Sequence, residues 1–172
     1  AALMTSTKVE SKVYSGVSNL VGNRPLEEVM QREFDKLGPV PFEADDAIFA
    51  NEIRKTLTKD DIAASFQRAG IDTPPDLPLC DFVAPLDRIS KGGEGSTDMG
   101  DVSWVVPTVQ ARVATCAVGK PFHTWQTVAQ GKMPAAHKGM AHAAKVMAAT
   151  ATALIQAPDV LVAARKVHDE RQ

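Results

Sequence analysis

Apolar residues at three- and four-residue spacing define the clearest element of the chain: Leu26, Val29, Met30, Phe34 and Leu37 predict an amphipathic helix. Asn23 is placed to cap its free amides, Pro25 suits a first turn, and Gly38 stops it. A second stripe, Ile48, Phe49, Ile53 and Leu57, predicts a helix over residues 44–57. The run Thr58-Lys59-Asp60-Asp61 then predicts the cap of a short third helix reaching Ala69, with Gly70 as its end. Residues 134–155 are rich in Ala and Met almost all round, the pattern of a helix packed on both sides. Ala157-Pro158-Asp159 breaks that run, and a last helix follows over 160–170, apolar at Leu161, Val162, Ala164 and Val167 with a charged end.

Three segments carry strand patterns. Residues 8–21 alternate loosely, with Val9, Val13, Val17 and Leu20 among polar neighbours, and lead into Gly22-Asn23-Arg24-Pro25. Between Ile71 and Leu86, Pro74, Pro75, Pro78 and Pro85 leave room for one short apolar strand over 79–84. Residues 109–118, bounded by Pro107 and Gly119, read as a buried strand. Four glycines fall within Lys91 to Asp101, so that backbone is either a ligand-approaching loop or a flexible turn. Helices alternating with buried strands make the expected class α/β.

Composition narrows the function classes. With 172 residues, 44% of them hydrophobic, the chain is able to bury a core. A formal net charge of -2, one Tyr and two Trp supply neither a basic surface nor a stacking platform, so nucleic acid is not an expected partner. The longest apolar-looking run, 141–157, contains Lys145, threonines and Gln156, and falls short of the roughly 18 apolar residues of a membrane span. No membrane is expected. Cys80 and Cys116 each sit among apolar neighbours, as free thiols of a reducing cytoplasm would. The start Ala1-Ala2-Leu3-Met4 has no signal-peptide pattern and reads as an internal start, that is, a fragment of a longer protein.

The histidines at 123, 137, 142 and 168 are the first candidates for metal or acid–base work. His137 and His142 lie five apart on one helix, about 140° around its axis, so they cannot share a metal. Each is expected to be structural or solvated. His168-Asp169-Glu170 occupies a helix end, where neighbouring side chains diverge. Glu27-Glu28 likewise diverge by about 100° and complement a helix N-terminus rather than form a catalytic pair. His123 differs: it follows a strand and the Gly119-Lys120-Pro121 turn, inside Phe122-His123-Thr124-Trp125, where a rigid scaffold passes into a loop.

The stretch Gly95-Ser96-Thr97-Asp98-Met99-Gly100-Asp101-Val102-Ser103-Trp104, then a strand, then Pro121-Phe122-His123-Thr124-Trp125-Gln126, has a recognisable order. It resembles the C-terminal part of the catalytic domain in the metallopeptidase family containing aminoacylases, glutamate carboxypeptidases and auxin-conjugate amidohydrolases, and within it the aminobenzoyl-glutamate branch. Thr124-Trp125 stands where Ser-Pro is commoner in the family, a departure that matches this branch. The resemblance implies a three-layer α/β catalytic domain of zinc-peptidase type over residues 24–172. Residues 1–23 would be the end of an inserted lid or dimerisation domain, whose last strand returns the chain.

The same resemblance implies roles. His123 would be a metal ligand, Asp98 an orienting acidic residue, and Gly95, Ser96, Thr97 and Asp101 substrate-binding positions. The complete enzyme would hold a divalent metal, two ions of Zn or Mn, and cleave the amide bond of an N-acyl amino acid such as an aminobenzoyl-glutamate-like substrate. Metal-bound water would attack the carbonyl and a Glu would take its proton. Its partner would be an identical or a related subunit. The family's early ligand motif, bridging acid and general base cannot be assigned here, so the chain alone is expected to be inactive. The competing expectation is a non-catalytic binding or assembly module that retains the scaffold.

Overall fold

A computed structural model describes residues 2–71, 76–88 and 97–171, and the described chain is organised by helices: α1 (Ala2–Thr5), α2 (Arg24–Leu37), α3 (Ala44–Arg54), α4 (Lys59–Ala69), α5 (Met99–Ser103), α6 (Trp125–Gln130), α7 (Pro134–Gln156) and α8 (Pro158–Asp169). The long α7 is central. Its inward stripe, Ala135, Gly139, His142, Val146 and Thr150, recurs at four- and three-residue steps. Against it lie α2 and α8. Leu26, Val29 and Met30 are buried on α2, Val146 on α7 and Ala164 on α8, and Val29 and Val146 are almost wholly enclosed. A second cluster, Ala50, Ile53, Leu79, Ala117 and Ala135, is completed by Phe42 and Phe49 and seats α3 on the start of α7.

Charge fixes α3 to α7 as well. The Lys138 ammonium donates to Asp46 at 2.6 Å and pairs with Glu43 at 2.9 Å. Asp46 is the third residue of α3, and its carboxylate also accepts the Glu43 amide at 2.8 Å, the reciprocal half of a capping box. The Thr58 cap of α4 forms as its sequence implies, with Asp61 bonding back to the Thr58 amide at 3.0 Å. Asn23 does occupy the N-cap of α2, but its side chain leaves the helix end alone. Its Nδ2 donates to the Ala164 carbonyl of α8 at 2.9 Å, and Glu27 accepts the Asn23 amide instead.

No strand is present among the described residues. Residues 8–17 are exposed and without regular structure. Segments 79–84 and 109–118 are irregular too, although Val118 N donates to Pro78 O at 2.9 Å and brings their ends together. A helix satisfies its own backbone groups, whereas a strand exists only through the ladder of a neighbour. One bond is not a ladder. No single helix among the described residues is long and apolar enough to cross a membrane.

Candidate functional site

The second half of the glycine-rich stretch folds into α5 and closes on a distant part of the chain. Asp101 Oδ1 accepts the Ser18 amide at 2.8 Å, Ser103 Oγ accepts the Val21 amide at 2.9 Å, and Trp104 Nε1 donates to the Asn19 carbonyl at 3.0 Å. Ser103 is fully enclosed and donates in turn to Gly100 O at 2.6 Å. Gly100 makes the approach feasible, since a Cβ there would stand 1.9 Å from the Ser18 carbonyl oxygen. Residues 18–21 thus form a strap held by Gly100, Asp101, Ser103 and Trp104. The strap continues to α2 and α8, because Arg171 Nη1 donates to the Gly22 carbonyl.

Two positions expected to meet substrate therefore have intramolecular partners. The Ser18 amide and hydroxyl hold the Asp101 carboxyl below its usual range. The half-buried Thr97 hydroxyl accepts the Met99 amide at 3.3 Å, at the entry to α5. Asp98 is exposed at the N-cap of α5 and makes no side-chain capping bond. Gly95 and Ser96 lie outside the described residues.

His123 stands in the turn that enters α6. Its side chain is exposed and its backbone is left-handed, with φ of 60°. His is among the few residues that tolerate this region. The turn is tied internally: Thr124 and Thr127 hydroxyls both donate to Pro121 O, at 2.9 and 3.0 Å. It is also tied to its surroundings. Gly119, with φ of 91°, lies flat against α4, where a Cβ would stand 2.9 Å from the Ile62 Cα. Gln126 donates to Thr56 at 3.4 Å, and buried Gln130 accepts the Ala117 amide at 2.6 Å. α4, the α3–α4 turn and α6 therefore set the position of His123, while the strap sets that of α5.

Among the described residues no group of three or more His, Cys, Asp or Glu side chains lies close enough to hold a metal ion. His137 is exposed on α7. His142 and His168 are buried, at 5% and 4% exposure, so the inward direction of His142 is a feature the pairwise comparison with His137 does not reveal. The inward stripe of α7 carries that signal. Cys80 and Cys116 are half-buried and form no disulfide; burial pushes the Cys80 thiol up, away from the thiolate form a nucleophile needs.

Sequence comparison places this chain beside a hydrolase. Over 180 aligned residues, taking in 99% of the chain, it is 37% identical to the B subunit of p-aminobenzoyl-glutamate hydrolase from Escherichia coli (strain K12). That likeness supports kinship with the family of that protein, and the chain spans about 37% of the relative's length. No protein-family model matches, and no solved structure matches.

Proposed function

We propose that the chain forms part of the active site of a metal-dependent amidohydrolase, contributing His123 as one imidazole ligand to a divalent ion. The 37% identity to a hydrolase named for p-aminobenzoyl-glutamate, extending over 99% of the chain, carries this reading. On this reading the substrate would be an amide of an N-acyl amino acid. His123 suits the role by its exposed ring and by a backbone fixed between Gly119 and α6. One imidazole is not a metal site, and the described residues supply no cluster around it. The remaining ligands and the general base of the proposed enzyme would therefore come from outside the described residues.

A divalent ion, Zn or Mn, would supply Lewis acidity and lower the pKa of a bound water. The work of this chain's own residues is positional. The turn at 121–124 would set the place of the His123 ring, and Asp98, exposed at the start of α5, would orient a substrate donor or a ligand beside it. Gly95, Ser96 and Thr97 would present backbone amides and hydroxyls to a substrate oxygen. Segments 79–84 and 109–118 would be neighbouring strands of the α/β catalytic domain, with residues 1–23 as the returning end of a lid domain. The relative is named as one subunit of a hydrolase, and the corresponding association of this chain would be with a related subunit. The test is His123→Ala in the full-length protein. Metal analysis should show the loss of one ion per protomer, and hydrolysis of p-aminobenzoyl-glutamate should fall by at least about a thousandfold. Unchanged metal content and turnover would overturn the assignment.

A further inference from the structure

A cleft of about 190 Å³, open to solvent, lies between α2, α7 and the segments 80–88 and 109–114. Its interior is largely apolar, with Met30 and Phe34 from α2, Phe82 from the first segment and Val109 and Val113 from the second. Phe34 and Phe82 are only half-buried, so apolar surface is left uncovered there. The second segment alternates: Val109, Ala111 and Val113 are half-buried, whereas Gln110 and Arg112 are exposed. Arg112 and Arg88, one from each segment, both belong to the lining and both are exposed. Arg88 Nη1 donates to the Pro85 carbonyl at 2.7 Å, and among the described residues neither arginine has a carboxylate partner. Glu27, the acidic residue of the lining, is engaged elsewhere, since its Oε1 accepts the Asn23 amide at 3.1 Å.

Volume and apolar walls select the body of an occupant: a cavity of roughly 150 Å³ lined by aliphatic and phenyl groups holds one benzene ring. Charge selects its head group. A guanidinium is always protonated, and its planar fork of donors matches a carboxylate through two parallel hydrogen bonds. Arg112 is the principal candidate because its donors are unengaged among the described residues, and Arg88 keeps donors beyond the one given to Pro85. Apolar walls beside these cations exclude water on one side, which strengthens pairing relative to an open surface. A purely apolar molecule would leave both arginines without a counter-charge, and a bare anion would leave the apolar walls wet. We propose that the cleft binds a small single-ring carboxylate, with the ring against Phe34 and Phe82 and the carboxylate held by Arg112 with Arg88. This site does not depend on the metal reading of His123.

Benzoate is the probe. Benzamide keeps its shape without the charge, and acetate keeps the charge without the ring. In calorimetric titrations of the protein, benzoate should bind about tenfold more tightly than benzamide, as a charge-assisted pair at a partly desolvated site predicts. It should exceed acetate by about tenfold as well, through burial of the ring. Added salt should reduce the preference for benzoate over benzamide and leave benzamide binding unchanged. Arg112→Gln should cut that preference to about threefold or less, and Arg88→Gln combined with Arg112→Gln should bring it to about one, with benzamide bound as before. Val113→Phe fills the cleft and should abolish binding of both aromatic probes; the exposed arginine variants keep the proposal testable if this one does not fold. Equal affinity for benzoate and benzamide, equal affinity for benzoate and acetate, an unchanged preference in the double arginine variant, or no saturable binding of benzoate up to about 10 mM would each overturn it.

Discussion

The left-handed backbone at His123 stores a small strain at the residue proposed to hold a metal. For most L-residues this conformation costs roughly 1–2 kcal/mol, and glycine escapes it. The two threonine hydroxyls on Pro121 O and the contact of Gly119 with α4 hold the turn in place despite that cost. His123→Ala and His123→Gly both lose the imidazole, yet they differ in backbone strain. Urea denaturation should therefore find the glycine variant the more stable of the two by about 1 kcal/mol, after allowance for the greater freedom of glycine in the unfolded chain. Equal stabilities would mean that the turn relaxes when the imidazole is removed. The location of His123 in a turn was legible from Gly119-Lys120-Pro121 and the aromatic residues around it. Its positive φ was not, because neither Gly nor Asn marks the position. Asn23 shows the same limit: its place at a helix start is local information, but Ala164, which it bonds, lies 141 residues away.

At the scale of elements, amphipathic stripes marked α2, α3 and α8, the Thr58 cap marked α4, and a run rich in Ala and Met marked α7, since a helix is built from contacts within a few residues. The glycine-rich stretch shows the converse. Read locally, Gly100 suggests a backbone that admits a ligand; in the fold, what approaches Gly100 is the Ser18 carbonyl. Asp101, Ser103 and Trp104 meet partners 82 to 85 residues distant, which no local pattern displays. The segments 79–84 and 109–118 pose the same problem, because their strand character depends on ladder partners rather than on their own residues. The strap gives this argument a direct check. Gly100→Ala would force a Cβ onto the Ser18 carbonyl, and Ser103→Ala would strand the Val21 amide, a loss of about 1–2 kcal/mol. In both variants amide exchange over residues 18–21 should accelerate by at least tenfold, with α7 protected as before. Unchanged exchange in the strap would show that the α5 contacts do not hold it.

Across the whole molecule, the two clusters of the core meet at α7, and the link that joins its beginning to α3 is ionic. Burial alone would raise the Asp46 carboxyl, but the Lys138 ammonium and the Glu43 amide outweigh it, and the carboxyl lies below its ordinary value of 3.8. Lys138 is raised in turn, by its bonds to Asp46 and Glu43. The signs give both edges of the stability profile. Asp46 contributes fully above its unfolded value, near pH 4, and that contribution is lost as pH falls through the lower folded value; Lys138 contributes until pH rises beyond its raised value, above 10.5. Asp61 and Asp101 are also held low, by Thr58 and by Ser18, so acid should weaken the fold at several exposed points together. Asp46 differs in being buried and in joining two elements. Thermal midpoints measured from pH 7 to pH 2.5 should therefore fall below about pH 4 in the unaltered protein. In Asp46→Asn the midpoint should start lower at pH 7 and fall less over the same range, the residual slope belonging to Asp61 and Asp101. Parallel curves for the two proteins would mean that the α3–α7 link owes its strength to the apolar cluster around Ala50 and Ile53, with the ion pair contributing little.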